Sequence, residues 1–271
     1  MSTTSPAIQE NGVVLERKEG GVATLVMNRP DRMNAINKDL ATALNQALDR
    51  ASGDKDVRVV VVTGAGRAFC AGGDLGAIGK GHREKNSAEL QPILRSGIQI
   101  VLKMRTMRQP VIAAVHGPAA GAGMNIALAA DIRIASDEAS FGQNFAKVGL
   151  FPDYGGTYFL PELVGPAIAA EMFYTGDMID AATALRLGVV NRLVPVAQLE
   201  AETNALAQKI AQGPPMAVRA VKRMLFAGSR KQLERALDLE VEEQMKCFQS
   251  EDCGEGIQAF FEKRKPKFQG K

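Results

Sequence analysis

The chain contains 271 residues, of which 46% are hydrophobic, and 33 basic residues against 30 acidic ones leave a net charge of +3. This length and apolar content predict one large domain, or slightly more, with a sizeable core. The near balance of charge gives no electrostatic reason to expect nucleic acid as a partner, and a total of two histidines argues against a histidine-rich metal site.

The cysteines and the first residues favour a reducing compartment. Cys70, Cys247 and Cys253 form no C-x-x-C pair, and their odd number suits free thiols. Residues 1–11 are polar and lack the apolar stretch of a signal peptide, so we expect a cytoplasmic protein.

Residues 111–130 are apolar enough to resemble a membrane helix, but a proline and three glycines divide them into strand, turn and helix start. We therefore expect no membrane association.

The first half of the chain alternates strand-like and helix-like segments. The pattern predicts strands at 13–17 and 22–28, a helix at 37–51, a buried strand at 57–62, a helix at 88–107, and strands at 111–115 and 132–135. This order predicts an α/β core of mainly parallel strands joined by crossover connections. The polar, glycine-bearing segment 76–86 is predicted to be a mobile loop.

The pattern changes to helices alone from about residue 196. Helices are predicted at 198–212, 215–227, 230–249 and 254–264, with a proline pair and a glycine-serine pair marking two of the boundaries. We therefore expect an α/β core over residues 1–195, followed by an α-helical region over residues 196–271.

Two apolar, glycine-rich turns stand out, at residues 67–75 and 116–124. Each follows a strand-like run and leads towards a helical pattern, so each leaves unpaired backbone N–H groups at the mouth of a helix. Two such groups aimed at one point can hold a developing oxyanion. The alternative is that the glycines only permit tight turns and close packing. Neither turn matches the dinucleotide or P-loop glycine patterns.

Three motifs stand out in the sequence: MNRPDRMNA at residues 27–35, AFCAGGDL at residues 68–75 and VHGPAAGAG at residues 115–123. They resemble, in this order, the N-R-P-x-x-x-N-A segment, the A-F-x-A-G-x-D-[LI] segment and the second glycine segment of the crotonase (enoyl-CoA hydratase/isomerase) superfamily. Residues 260–265, with the sequence FFEKRK, resemble its C-terminus. The resemblance runs in order through nearly the whole chain. It implies a spiral of ββα units, a C-terminal α-helical trimerisation region, a homotrimer or hexamer, and an acyl-CoA thioester substrate.

The resemblance also assigns roles to residues of the glycine turns. The backbone N–H groups of Ala71 and Ala122 would form the oxyanion hole, although the family most often has glycine at the position of Ala122. Gly72, Asp74 and Leu75 would lie against the substrate, and Asp74 is also suited to cap a local turn. Coenzyme A is part of the substrate, so neither a separate cofactor nor a metal is expected.

The resemblance also implies that four residues of this sequence bind the coenzyme A moiety. Arg29 and Arg32 lie where the family often places basic residues near the nucleotide phosphates. Phe260 and Lys263 resemble a C-terminal pair that reaches coenzyme A. The alternative for the basic residues is an ordinary solvated surface.

The choice of reaction depends on acid and base groups. Hydratases of the family use two glutamates, and their positions here hold Asn125 and Phe145, neither of which can transfer a proton. Residues 152–157 instead resemble the P-D-x-G-G-T segment of isomerases in the family. Asp153 among apolar neighbours would have a raised pKa and could move a proton from C2 to C4 of a 3-enoyl-CoA, giving a 2-trans-enoyl-CoA. Its alternative role is an N-cap for a helix starting near residue 154 or 155.

Two rival functions stay open. The first is an enoyl-CoA hydratase or another acyl-CoA lyase that uses an unplaced glutamate, for which Glu84 and Glu89 are candidates because either could reach the acyl pocket. The second is a binding protein on the same fold without turnover, such as the RNA-binding members of the superfamily. His116 at a strand end and Cys70 beside the first turn are predicted to be structural.

Overall fold

The computed structural model describes residues 12–88 and 90–271. The strands are β1 (Val14–Glu19), β2 (Val22–Met27), β3 (Val59–Gly64), β4 (Val111–Val115), β5 (Pro118–Ala120), β6 (Ile132–Ser136), β7 (Ser140–Gly142), β8 (Met178–Asp180) and β9 (Arg192–Val194). The helices are α1 (Lys38–Gly53), α2 (Leu75–Arg83), α3 (Leu90–Thr106), α4 (Ala122–Ala129), α5 (Gly156–Val164), α6 (Pro166–Thr175), α7 (Ala181–Arg186), α8 (Leu199–Ala211), α9 (Pro215–Ala227), α10 (Arg230–Gln249) and α11 (Glu251–Glu262).

The larger sheet has six strands in the order β1-β2-β3-β4-β6-β9. The first pair is an antiparallel hairpin, and every later pair is parallel, as the alternation of strands and helices predicted. A smaller sheet contains β5, β7 and β8. Its three-residue strands were missed by the periodicity, because three residues are too few to show a period.

The central parallel strands β3 and β4 are buried on both faces, which explains their continuous apolar sequence. Val60 and Val62 of β3 face the main core, which also contains the buried sides of α1 and α3. Val59 and Val61 face a second cluster on the other side of the sheet, where α8 contributes Ala207 and other small residues. Helix α8 therefore covers the sheet, although it lies within the predicted helical region 196–271.

Segment 76–86 contradicts the prediction of a mobile loop, because most of it forms α2. Asp74 caps this helix, and its side chain accepts hydrogen bonds from the N–H groups of Gly76 and Ala77. Gly79 is buried, and a Cβ there would lie 2.9 Å from Ile257 of α11. The glycines that suggested flexibility instead allow close packing between helices.

The last four helices agree with the predicted ones in number, and α9 and α10 agree in their boundaries. Helix α11 begins three residues earlier than expected because Ser250 acts as its N-cap, accepting from the N–H of Cys253. Exposed apolar side chains are concentrated on α9, where Met216, Met224 and Leu225 are 83%, 68% and 69% exposed. No helix within the described ranges combines the length and apolar character that a membrane crossing needs.

Candidate active site

A cavity of about 320 Å³ lies where the two glycine turns meet. Its walls come from the first turn, the second turn, the start of α3, the loop that precedes α5, and α10. The predicted site residues that line it are Arg32, Ala71, Gly72, Asp74, Leu75, Ala122, Asp153 and Phe260. A larger cavity of about 650 Å³ lies between α3 and α9, but no predicted site residue lines it.

The turns are brought together by backbone pairing. Cys70 forms an isolated parallel bridge with Ala119, the middle residue of β5. Gly72 has a positive φ of 93°, and a Cβ there would lie 2.8 Å from the carbonyl oxygen of Ala120. Both the backbone conformation and the close approach therefore require glycine. The same virtual Cβ lies 3.7 Å from the nitrogen of Ala122, which puts the first turn directly against the start of α4.

The structure does not support Ala71 as an oxyanion donor, which corrects the expectation from the resemblance. The N–H of Ala71 donates to the carbonyl oxygen of Met33 at 3.0 Å. That hydrogen bond occupies the donor within the protein. The N–H of Ala122, at the first position of α4, finds no acceptor among the described residues, as expected for a helix start.

Gly73 supplies the free amide that the first turn needs. Its N–H has no acceptor among the residues described, whereas the carbonyl oxygen of Gly72, in the same peptide group, accepts from the N–H of Ile36. The peptide bond is trans, so the Gly73 N–H points away from Ile36. Gly73 and Ala122 both line the cavity, so two amides that are unpaired within the described part of the chain are available at the same site.

Asp153 is a buried carboxyl group that lines the cavity. Its Oδ2 accepts a hydrogen bond from the Nε2 of Gln244 at 3.1 Å, and its Oδ1 has no partner. Burial raises the pKa of Asp153 to about 8, a rise that the amide of Gln244 opposes and the nearby Glu240 increases. A carboxyl group in this state can accept or donate a proton near neutral pH.

Glu240 of α10 fills the capping role that was the alternative for Asp153. Helix α5 begins at Gly156, and its start is held by hydrogen bonds to the Glu240 carboxylate from the N–H groups of Gly155 (2.7 Å) and Thr157 (2.9 Å). The Thr157 hydroxyl donates to it as well, at 2.5 Å. The carboxyl of Asp153 makes no hydrogen bond to the start of α5, so the capping interpretation of Asp153 is wrong. Burial raises the pKa of Glu240 above its ordinary value.

The two positions of the hydratase glutamates have structural or apolar roles. Asn125 is fully buried, donates to the backbone oxygen of Asp153 at 2.7 Å and accepts from Gln143 at 2.7 Å. Phe145 lines the cavity with its ring. Glu84 is largely exposed and lines a separate cavity, which contradicts its reaching the acyl pocket. Glu89 lies outside the described residues.

The residues expected to bind coenzyme A divide into two groups. Arg32 and Phe260 line the cavity. Arg29 does not line it, because its guanidinium donates to the carbonyl of Ala35 and forms an ion pair with Asp74 at 3.0 Å. Lys263 is exposed beyond the end of α11, also outside the cavity wall. Binding of coenzyme A by these four residues stays a prediction.

Cys70 and His116 have the structural surroundings that the sequence suggested. Burial raises the pKa of the Cys70 thiol to about 12, and its Sγ contacts the carbonyl oxygen of Asn34 at 3.1 Å. The ring of His116 bonds the carbonyl oxygen of Gly66 at 2.9 Å, and burial lowers its pKa. Neither side chain has the activated character of a catalytic group.

Comparison with known proteins identifies the family. A model of the enoyl-CoA hydratase/isomerase family matches residues 17–271. A probable enoyl-CoA hydratase of Rhodobacter capsulatus is 43% identical over 252 residues, which cover 93% of this chain and 95% of the relative. A 1,2-epoxyphenylacetyl-CoA isomerase of Escherichia coli is 35% identical over 265 residues, covering 95% and 98%.

The solved structures agree with the sequence matches. An enoyl-CoA hydratase from Mycobacterium avium subsp. paratuberculosis superimposes with a TM-score of 0.87 at 31% identity, covering 95% of this chain and 99% of that one. The chain therefore belongs to the enoyl-CoA hydratase/isomerase family, within the crotonase superfamily, and is an enzyme that acts on acyl-CoA thioesters. The predicted α/β crotonase fold is confirmed. The relatives named above are enzymes, which disfavours the binding-protein alternative.

Proposed function

We propose that the protein isomerises 3-enoyl-CoA to 2-trans-enoyl-CoA. The observation that carries this proposal is the number of carboxyl groups in the cavity wall that are free to transfer a proton. Among the described residues that line it, the acids are Asp74 and Asp153. Asp74 is committed to Arg29 and to the cap of α2. Asp153 is thus the one carboxyl with a free oxygen among the described residues of the wall. Double-bond isomerisation needs only one acid-base group, because nothing is added or lost.

The reaction would proceed through a dienolate held by two amides. The thioester oxygen accepts from the N–H groups of Gly73 and Ala122, and Asp153 removes a proton from C2. Negative charge then develops on the oxygen, where the two donors stabilise it more than they stabilise the ground state. Asp153 returns the proton to C4, and the double bond ends between C2 and C3. Gly73 replaces Ala71 in this mechanism because the Ala71 amide is already bonded to Met33.

Hydration is the second candidate, and the name of the Rhodobacter capsulatus relative favours it. The name of the Escherichia coli relative favours isomerisation. Addition of water needs one group to activate the water and another to protonate carbon. The cavity offers one uncommitted carboxyl among the described residues, which supports the isomerase.

The two candidates are separated by ultraviolet absorbance of the conjugated thioester. With trans-3-hexenoyl-CoA, an isomerase raises the absorbance, and the Asp153→Asn variant does not. With crotonyl-CoA, a hydratase lowers the absorbance. If the absorbance falls with crotonyl-CoA faster than it rises with the 3-enoyl ester, the protein is a hydratase and the isomerase proposal is wrong.

We also propose that the enzyme assembles into trimers, or hexamers built from them, through its C-terminal helices. The exposed apolar side chains of α9 support this, because apolar residues grouped on one exposed helix mark a surface that contacts another protein. Light scattering after gel filtration measures the assembly. A monomer at micromolar concentration would contradict it.

A further inference from the structure

Gln244 of α10 connects the helical region to the proposed catalytic carboxyl. The side chain is 2% exposed, and both ends of its carboxamide are hydrogen-bonded. Its Oε1 accepts from the N–H of Phe151 at 2.9 Å, and its Nε2 donates to the Oδ2 of Asp153 at 3.1 Å. One side chain from a distant helix therefore holds both the loop before α5 and the carboxyl that the loop carries.

The orientation of this carboxamide is fixed by chemistry. A backbone N–H can only donate, so the group that faces Phe151 must be the oxygen of Gln244. The nitrogen must then face Asp153, where it can only donate. Consequently Oδ2 of Asp153 always acts as an acceptor, whatever the protonation state of the carboxyl.

We propose that Gln244 is a positioning residue that restricts the transferred proton to the Oδ1 oxygen of Asp153. This inference rests on the proposed isomerase function. The Oδ1 atom is buried and has no partner among the described residues, so it is the oxygen left for the substrate. A protonated carboxyl keeps its carbonyl-type oxygen as the better acceptor, and the donor of Gln244 selects Oδ2 for that role.

The proton and electrons balance over the two steps. In the first step the C2–H bond breaks, an Oδ1–H bond forms, and the electron pair of C2 extends the π system to the thioester oxygen. In the second step the Oδ1–H bond breaks, a C4–H bond forms, and the carbonyl is restored with a double bond between C2 and C3. A single oxygen that serves both carbons requires a carboxyl held at one angle.

Other groups near Asp153 do not duplicate this role. Glu240 lies one turn before Gln244, and its carboxylate holds the start of α5. Asn125 from α4 donates to the backbone oxygen of Asp153 rather than to its carboxyl. The neighbouring Tyr154 directs its hydroxyl to the carbonyl of Ile93 at 3.3 Å. Gln244 is therefore the one side-chain donor to this carboxyl among the residues described.

The Gln244→Glu variant tests the proposal because it changes one end of the side chain. A glutamate keeps an oxygen for the Phe151 N–H. Its other oxygen faces Asp153 as an acceptor or through a shared proton, so the permanent donor is lost. With trans-3-hexenoyl-CoA we expect kcat to fall about ten- to hundredfold, the size expected for losing a hydrogen bond to a charged group, with KM within about twofold. The pH midpoint of kcat/KM should move upwards, because the ionised form of Asp153 loses its donor.

A second variant and a control complete the experiment. Gln244→Met has similar length, no charge and no donor, and we expect the same upward shift of the pH midpoint. Gln249→Met lies on the same helix at an exposed position and should leave kcat and the pH profile unchanged. Thermal unfolding of each variant shows that the compared proteins are folded.

Two results would overturn the inference, and they are distinguishable. If Asp153→Asn is inactive but both Gln244 variants keep the wild-type kcat and pH midpoint, Gln244 does not position the carboxyl and the isomerase proposal stands. If Asp153→Asn itself isomerises at the wild-type rate, the proposed function fails and the role of Gln244 fails with it.

Discussion

Two buried carboxyl groups meet the loop that leads into α5, and the fold treats them differently. Glu240 receives three hydrogen bonds from the start of the helix, whereas Asp153 receives one and keeps an unpaired oxygen. Both have pKa values raised by burial. The difference gives the two groups different roles. The fully hydrogen-bonded carboxyl of Glu240 stabilises the start of a helix, whereas the partly unpaired carboxyl of Asp153 can exchange a proton with a ligand.

Asp153→Asn should have the largest effect on catalysis. The amide keeps the shape of the carboxyl and removes its ability to accept a proton, so we expect kcat for a 3-enoyl-CoA to fall roughly 10²- to 10⁴-fold, the contribution of a general acid-base group. Steady-state assays with trans-3-hexenoyl-CoA measure this. Asp137→Asn, in the turn after β6, serves as a control outside the cavity wall.

Ala122→Pro should have the next largest effect, because it deletes the N–H that we propose as the second oxyanion donor. Proline is well tolerated at the first position of a helix, where no intrahelical N–H bond exists. We expect a loss of about 10²- to 10³-fold in kcat, with α4 retained by circular dichroism. Ala122→Gly keeps the N–H and should stay within a few-fold of wild type. Equal activity of the proline variant would remove this amide from the mechanism.

Glu240→Gln should act on stability rather than on the chemical step. The amide removes the negative charge from the helix start, and its NH₂ group faces backbone N–H donors that the carboxylate accepted from. We expect the free energy of unfolding to fall by about 1–3 kcal/mol. Urea unfolding measures the change in the free energy of unfolding. Glu242→Gln on the same helix is exposed and should change it little. A stable Glu240→Gln variant with strongly reduced kcat would contradict the division of roles between the two carboxyls.

The pH dependence of stability should show the smallest change when it is counted per pH unit. The folded-state pKa of Asp153, about 8, lies above its ordinary value of 3.8, so the folded protein binds more protons than the unfolded chain between these values. This group's contribution to stability is complete below pH 4 and is lost as the pH rises towards 8. In the Asp153→Asn variant the free energy of unfolding should therefore fall less steeply as the pH rises, by up to about 1.4 kcal/mol per pH unit. An unchanged slope would mean that Asp153 is ionised throughout.

The sequence predicted the long elements well because their periodicity carries the information. Helix α1 and strand β4 follow helical and continuous apolar patterns, and both are found where they were expected. Segment 76–86 was predicted wrongly, since glycine gives the same signal for a loop and for close helix packing. The partners that decide between the two, Ile257 and Phe248, lie more than 160 residues away in the chain.

The site could be predicted in part. Asp153 and Ala122 were found through local motifs, and both line the cavity. Ala71 was assigned as a donor and Gly73 was not considered, because a sequence does not show which amides of the turn are already hydrogen-bonded within the protein. Glu240 and Gln244 were missed because nothing near them in the sequence marks them, and their contacts to residues 151–157 arise from folding. The one available signal was their spacing, because both residues continue the helical repeat of the apolar Leu233, Leu237 and Phe248.

The burial of Cys70 would protect the enzyme from the product of the proposed isomerisation. A conjugated thioester is a Michael acceptor, and a thiolate beside the carbonyl site would add to it and inactivate the protein. Cys70 lies one residue before Ala71 of the cavity wall, yet its thiol is fully buried and its pKa is raised to about 12, so it stays protonated. We expect the enzyme to survive long turnover, and exposure to thiol-alkylating reagents, without modification at this position.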